Sequence, residues 1–84
     1  METVPLDKDN RTFKNLPYYN AGTIKSIRES IGLSRAELSE LMGVSVKTVQ
    51  AWESGRNKPN GSSARLLQIL QVSPNEFIDY MIKD

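Results

Sequence analysis

Between Ser45 and Lys58 the sequence SVKTVQAWESGRNK gathers Lys47, Gln50, Arg56, Asn57 and Lys58 around a single carboxylate, Glu53. These side chains donate hydrogen bonds and carry positive charge. Their chemistry is recognition: Lys donates to guanine O6 and N7, Gln pairs with adenine N6 and N7, and Val or Ala meets a thymine methyl. Covalent chemistry has little to work with. The chain contains no His and no Cys, which removes imidazole acid–base catalysis, thiol nucleophiles, Cys/His zinc sites and disulfides together. No nucleophile–base arrangement or glycine-rich phosphate loop replaces them. A binding protein is expected, with no enzymatic activity, cofactor or metal.

The elements that position these residues read as helices. Ser45 is placed to cap one, and at about 100° per residue Val49 and Trp52 turn inward while Val46, Lys47, Gln50 and Ala51 share the outward face. Upstream, Ser34 opens a helix as a capping box with Glu37 three residues on. Leu38, Leu41 and Met42 form its inward side and Gly43 stops it. The connection Gly43-Val44-Ser45 is short enough to hold the two helices as a helix-turn-helix. Before them, Thr23 is the expected cap of a helix carrying Ile24, Ile27 and Ile31, with Gly32 its left-handed terminus.

After Gly55, Pro59 and Gly61 mark a loop, and Ala64, Leu66, Leu67, Ile69 and Leu70 build a fourth helix. Ser73-Pro74-Asn75-Glu76 combines an N-cap, a first-turn proline and a second capping box, and starts a last helix with Phe77, Ile78, Met81 and Ile82. Five short helices and no strand signal give an all-α class.

With 84 residues, 38% of them apolar and 25% charged, the chain has the composition of one small globular domain. Residues 1–21 lack a sustained period and read as an irregular arm before a domain at 22–84. Its Phe13, Leu16, Tyr18 and Tyr19 either fold back on the core or dock a partner. The longest apolar run is only Leu41 to Val44, so neither a membrane span nor a signal peptide is expected, and the cytoplasm is the default location. Trp52 is expected in the core, with Met42 and Met81 filling gaps. The last two helices carry more apolar side chains than one small core needs, and the surplus is a candidate interface.

The net charge of +1 is a poor guide to partners, because it averages unlike regions. Lys47, Arg56, Lys58 and Arg65 against Glu53 give residues 45–65 a net +3, whereas Glu76, Asp79 and Asp84 against Lys83 give residues 66–84 a net −2. Arg35, Arg56, Asn57 and Lys58 also fall at helix ends, where phosphate contacts arise.

The stretch RESIGLSRAELSELMGVSVKTVQAWESGRNKP, Arg28 to Pro59, resembles the lambda-repressor/Cro-type helix-turn-helix of the xenobiotic-response-element class. The resemblance is carried by Arg28, Gly32-Leu33-Ser34, Gly43-Val44-Ser45, Val49, Trp52-Glu53-Ser54-Gly55 and Pro59. It implies a five-helix lambda repressor-like DNA-binding domain and a transcriptional repressor that meets an inverted-repeat operator as a homodimer. It further implies base reading by Ser45, Val46, Lys47, Gln50 and Ala51, and backbone phosphate contacts from Ser34, Arg35, Thr48, Ser54, Arg56, Asn57 and Lys58. Arg28 and Glu53 match a structural ion pair. Three positions depart from the pattern: Arg35 stands in place of Gln, Gln50 in place of Ser, and Ser39 in place of Ala, so the Ser39 hydroxyl needs a backbone acceptor. Gly55 to Leu70 is also similar to HigA-like antitoxins, which pair with a RelE-like ribonuclease toxin and repress their own operon. That branch implies the alternative, a protein-interaction module with autoregulation secondary.

Overall fold

A computed structural model describes residues 12–83, so the acidic start of the arm and Asp84 lie outside the described residues. Five helices follow one another: α1 (Ala21–Ile31), α2 (Arg35–Met42), α3 (Val46–Ser54), α4 (Gly61–Val72) and α5 (Pro74–Met81). No strand occurs among the described residues. None of these helices is long and apolar enough to cross a membrane.

Local chemistry sets most of the boundaries. Ser34 and Glu37 form the reciprocal capping box at the start of α2, and the Ser45 hydroxyl accepts the Thr48 amide at the start of α3. The connection between α2 and α3 turns on Gly43, whose φ of 73° lies in the left-handed region. That conformation returns the Val44 amide to the Ser39 carbonyl at 3.0 Å, satisfying a carbonyl that the end of α2 leaves open. Ser45 then caps α3 at once, leaving the turn no slack.

Three boundaries differ from the sequence expectation. Asn20, not Thr23, caps α1: its Oδ1 accepts both the Thr23 amide at 2.8 Å and the Thr23 hydroxyl at 3.0 Å. Asn is at least as strong an N-cap as Thr, so the helix starts from the earlier residue. Asn60 caps α4 in the same way, which puts Gly61 in its first turn and not in a loop. Ser73 makes no side-chain capping bond, so the second capping box with Glu76 does not form. The reason is double duty: Ser73 ends α4 and begins α5, with φ −137° and ψ 65°, and its amide donates to the Ile69 carbonyl at 2.8 Å.

The core joins Tyr19, Ile24, Ile27, Leu38, Met42, Val49, Trp52, Ala64, Leu67, Leu70 and Phe77. Helix α3 packs against both α1 and α2, while α5 packs against α4. Tyr19 belongs to this core although it precedes residue 22. Its hydroxyl donates to Gln71 Oε1 at 2.8 Å, and further along the arm Arg65 Nη1 donates to the Lys14 carbonyl at 3.0 Å. The described part of the arm is thus tied to α4, though Phe13 and Tyr18 stay exposed. Met81 is not a gap-filler: it is 51% exposed, and Ile82 lies beyond the helix end, exposed as well. Helix α5 has only two turns, and Phe77 and Ile78 complete its inward side.

Two glycine substitutions separate backbone strain from propensity. Gly43→Ala is expected to cost about 1–2 kcal/mol, because a Cβ disfavours the left-handed conformation even with open space around it. Gly22→Ala, inside α1 where a new Cβ would meet only Asn20 Oδ1 at an ordinary 3.6 Å, is expected to stabilise by about 0.5 kcal/mol. Urea midpoints of the two variants check both signs.

Candidate nucleic-acid interface

The outward surface of α3 is held at a fixed angle by one carboxylate. Glu53, in the last turn of α3, accepts from Arg28 of α1 through Nε at 2.7 Å and Nη2 at 3.0 Å. Its Oε1 also accepts from Nε of Arg35, the first residue of α2, at 2.9 Å. Arg28 Nη1 donates in addition to the Leu33 carbonyl at 3.0 Å, in the α1–α2 connection. The Glu53 and Arg28 side chains are both buried, at 3% and 9% exposure, whereas Arg35 is half-exposed. Burial alone would push the Glu53 carboxyl up. Hydrogen bonds from Arg28 and Arg35, reinforced by their charges, hold it below the ordinary glutamate range. Accepting from Arg28 likewise raises that guanidinium's own pKa. The only carboxylate in residues 45–65 is therefore turned inward and neutralised.

What remains on the outside of α3 is Val46, Lys47 and Gln50, all exposed. Ser45 is exposed at the head of the helix, and its hydroxyl lies 2.9 Å from that of half-buried Thr48. Ala51 lies beside this row but is not exposed with it. It is 6% exposed, and the chain turns back past Gly55 at its carbonyl, which accepts the Arg56 and Asn57 amides at 3.0 and 3.2 Å. A helical wheel cannot register that return. Ala51 instead contributes to a shallow hollow with Lys47, Thr48, Arg56 and Asn57.

The candidate phosphate contacts divide. Arg56, Asn57 and Lys58 are exposed in the turn after α3, and Arg35 keeps guanidinium donors beyond the Nε given to Glu53. Ser34 spends its amide on Glu37 Oε1 and uses its hydroxyl oxygen to accept the Glu37 amide, so the hydroxyl proton is what it can offer. Ser54 is less available, since its hydroxyl donates to the Ala51 carbonyl at 3.1 Å. Ser39 satisfies its hydroxyl on the Ala36 carbonyl at 2.7 Å, beneath α3. Two contacts had no signal in the sequence pattern: Arg35 on Glu53, and the Lys58 ammonium 5.1 Å from the centre of the Tyr18 ring.

Two short helices joined by a three-residue turn, the second presenting a cation and an amide outward and followed by two more cations, define a helix-turn-helix DNA-binding domain. Residues 24–77 match the helix-turn-helix family HTH_3, and the chain belongs to that family. Over 51 residues it is 41% identical to Antitoxin HigA-2 of Vibrio cholerae, covering 61% of this chain and 49% of that protein. It is 35% identical over 51 residues to the uncharacterized HTH-type transcriptional regulator YiaG of Escherichia coli K12, covering 61% of this chain and 53% of that one. The chain spans about half the length of these curated relatives.

Removing either end of the buried pair leaves an uncompensated charge. Glu53→Ala is expected to cost about 3–5 kcal/mol, and half-exposed Arg35→Ala no more than about 1 kcal/mol. In a thermal-melt cycle, Arg28→Ala with Glu53→Ala together should cost less than the sum of the two alone; strict additivity would contradict the pairing. Acid should reveal the same group. A carboxyl held low when folded stabilises fully above its unfolded pKa, and this is lost as pH falls through the folded value. Glu53→Gln should therefore show a shallower loss of stability than the wild type as pH drops through and below the glutamate range.

Proposed function

We propose that this chain is a sequence-specific transcriptional repressor that binds an inverted-repeat operator as a homodimer. Helix α3 enters the major groove, with two copies presenting it in successive grooves about 34 Å apart. The observation that carries this is the exposed row of Val46, Lys47 and Gln50 flanked by Arg56, Asn57 and Lys58, with Glu53 withdrawn from it. Ser45, Val46, Lys47 and Gln50 read bases. Arg35, Thr48, Arg56, Asn57 and Lys58 meet phosphates, with Ser34 adding a hydroxyl at the head of α2. A contact through Ser54 would first have to break its bond to α3, and Ala51 is too buried to be counted with the base readers. The dimer draws support from exposed Ile69 and Val72 on α4 and exposed Tyr80, Met81 and Ile82 at α5 and its end. This function is that of a cytoplasmic binder rather than an enzyme, and it calls for no cofactor.

Footprinting of the DNA upstream of its own gene tests the assignment. Lys47→Ala should lose about 1–3 kcal/mol on the specific site and relax one base position. Lys58→Ala should weaken all sequences alike and flatten the salt dependence by about one unit. Equal losses for Lys47→Ala on specific and mixed-sequence DNA would overturn its base-reading role.

A second reading is favoured by the match to a protein named as an antitoxin together with the same exposed apolar surface. In that case the chain neutralises a toxin encoded beside it and autoregulation is secondary. Co-expression with the adjacent reading frame decides: a stable complex lost on deleting residues 1–11, which leaves Tyr18, the core residue Tyr19 and the Asn20 cap in place, with DNA affinity intact, would favour the interaction role.

A further inference from the structure

Tyr18 has no part in the recognition surface described so far, yet its position is constrained from both sides. Its ring is 69% exposed, on the arm, and the Lys58 ammonium sits 5.1 Å from its centre. On the arm side, the next residue is the buried Tyr19, hydrogen-bonded to Gln71 of α4. Arg65 of the same helix holds the Lys14 carbonyl four residues earlier. Pro17 stiffens the backbone between these two ties. On the other side, Lys58 precedes Pro59, which restricts its backbone to extended conformations, and Asn60 caps α4 immediately afterwards. The ring and the ammonium are thus brought together by two short, stiff segments that end on the same helix.

A lysine side chain free in water carries much rotamer entropy, and a partner that orders it must overcome that loss. An aromatic face holds the ammonium without neutralising its charge and without using its N–H donors. A carboxylate in the same place would do both. We propose that Tyr18 is a positioning residue for DNA binding: its ring pre-orders Lys58 beside α3, so that the arm raises affinity for the phosphate backbone without reading a base. This rests on the DNA-binding function proposed above.

The test measures binding of the full chain and its variants to a short mixed-sequence duplex by fluorescence anisotropy across a salt series. Tyr18→Leu should weaken binding by about two- to fivefold, the range for a cation–π contact at an exposed site. Tyr18→Phe, which keeps the aromatic face, should bind as the wild type does. Lys58→Ala should weaken binding and flatten the salt slope by about one unit, and adding Tyr18→Leu to it should cost nothing more. Proton NMR of the free protein gives a DNA-independent reading: ring-current shifts of the Lys58 side-chain methylenes should persist in Tyr18→Phe and vanish in Tyr18→Leu. The proposal is overturned if Tyr18→Leu binds like the wild type, if its effect adds to that of Lys58→Ala, or if Tyr18→Phe is as weak as Tyr18→Leu. An absent ring-current shift, or an ineffective Lys58→Ala, overturns it too. A wild-type protein that fails to bind the duplex at low salt would instead defeat the DNA-binding function itself, which keeps the two failures apart.

Discussion

A buried carboxylate gripped by two guanidinium groups is the constraint on which the recognition surface depends. Glu53 joins three elements at one point: α3 through its own backbone, α1 through Arg28 and α2 through Arg35. Hydrophobic packing of Val49 and Trp52 holds α3 on the core, but packing of smooth apolar surfaces tolerates small rotations. Bidentate charged hydrogen bonds do not, because they demand alignment as well as proximity. Removing two charges from water costs nearly as much as their attraction returns. The chief contribution of Glu53 is therefore orientation of α3, together with the withdrawal from the surface of the one carboxylate of residues 45–65.

Around this point the molecule separates its two surfaces. The α2–α3 pair and the turn after it carry the exposed Arg35, Lys47, Gln50, Arg56, Asn57 and Lys58. The α4–α5 pair carries exposed Ile69, Val72, Tyr80 and Met81, with Tyr80 as much as 86% exposed. The division is already present in the charge of the sequence, positive through residues 45–65 and negative beyond. The arm crosses between them: it is tied to α4 by Tyr19 and Lys14, and it reaches the cationic side through Tyr18. A near-neutral total charge suits a protein whose discrimination comes from a few directed contacts, with modest indiscriminate attraction to DNA.

Features settled within a few residues were legible in the sequence. Ser34 with Glu37, Ser45 ahead of α3, and Gly32, Gly43 and Gly55 at helix ends depend only on neighbours along the chain. The outward placement of Val46, Lys47 and Gln50 follows from helical periodicity. The start of α1 was not legible in the same way: Thr23 has the chemistry of a cap, but Asn20, three residues earlier, takes that place. Long-range geometry stayed hidden. Nothing in the spacing says that Ala51 is buried, that Arg35 reaches a residue 18 positions away, or that Tyr18 lies against Lys58. The pairing of Arg28 with Glu53 comes from family resemblance, since 25 residues separate them. The family match itself covers residues 24–77 and does not extend to the arm.

The single-residue joint at Ser73 gives the last two helices an unusual rigidity of phase. One pair of dihedral angles, φ −137° and ψ 65°, sets the direction of α5 relative to α4. A longer loop could absorb an added or deleted residue by rearranging, but here there is no spare chain to do so. A residue inserted into the first turn of α5 would turn the helix beyond it by about 100° about its axis, carrying Tyr80 and Met81 out of line with Ile69 and Val72. Ile69, Tyr80 and Met81 line one shallow hollow across Ser73, and that arrangement depends on the register of the joint, so it tolerates substitution far better than a change in length.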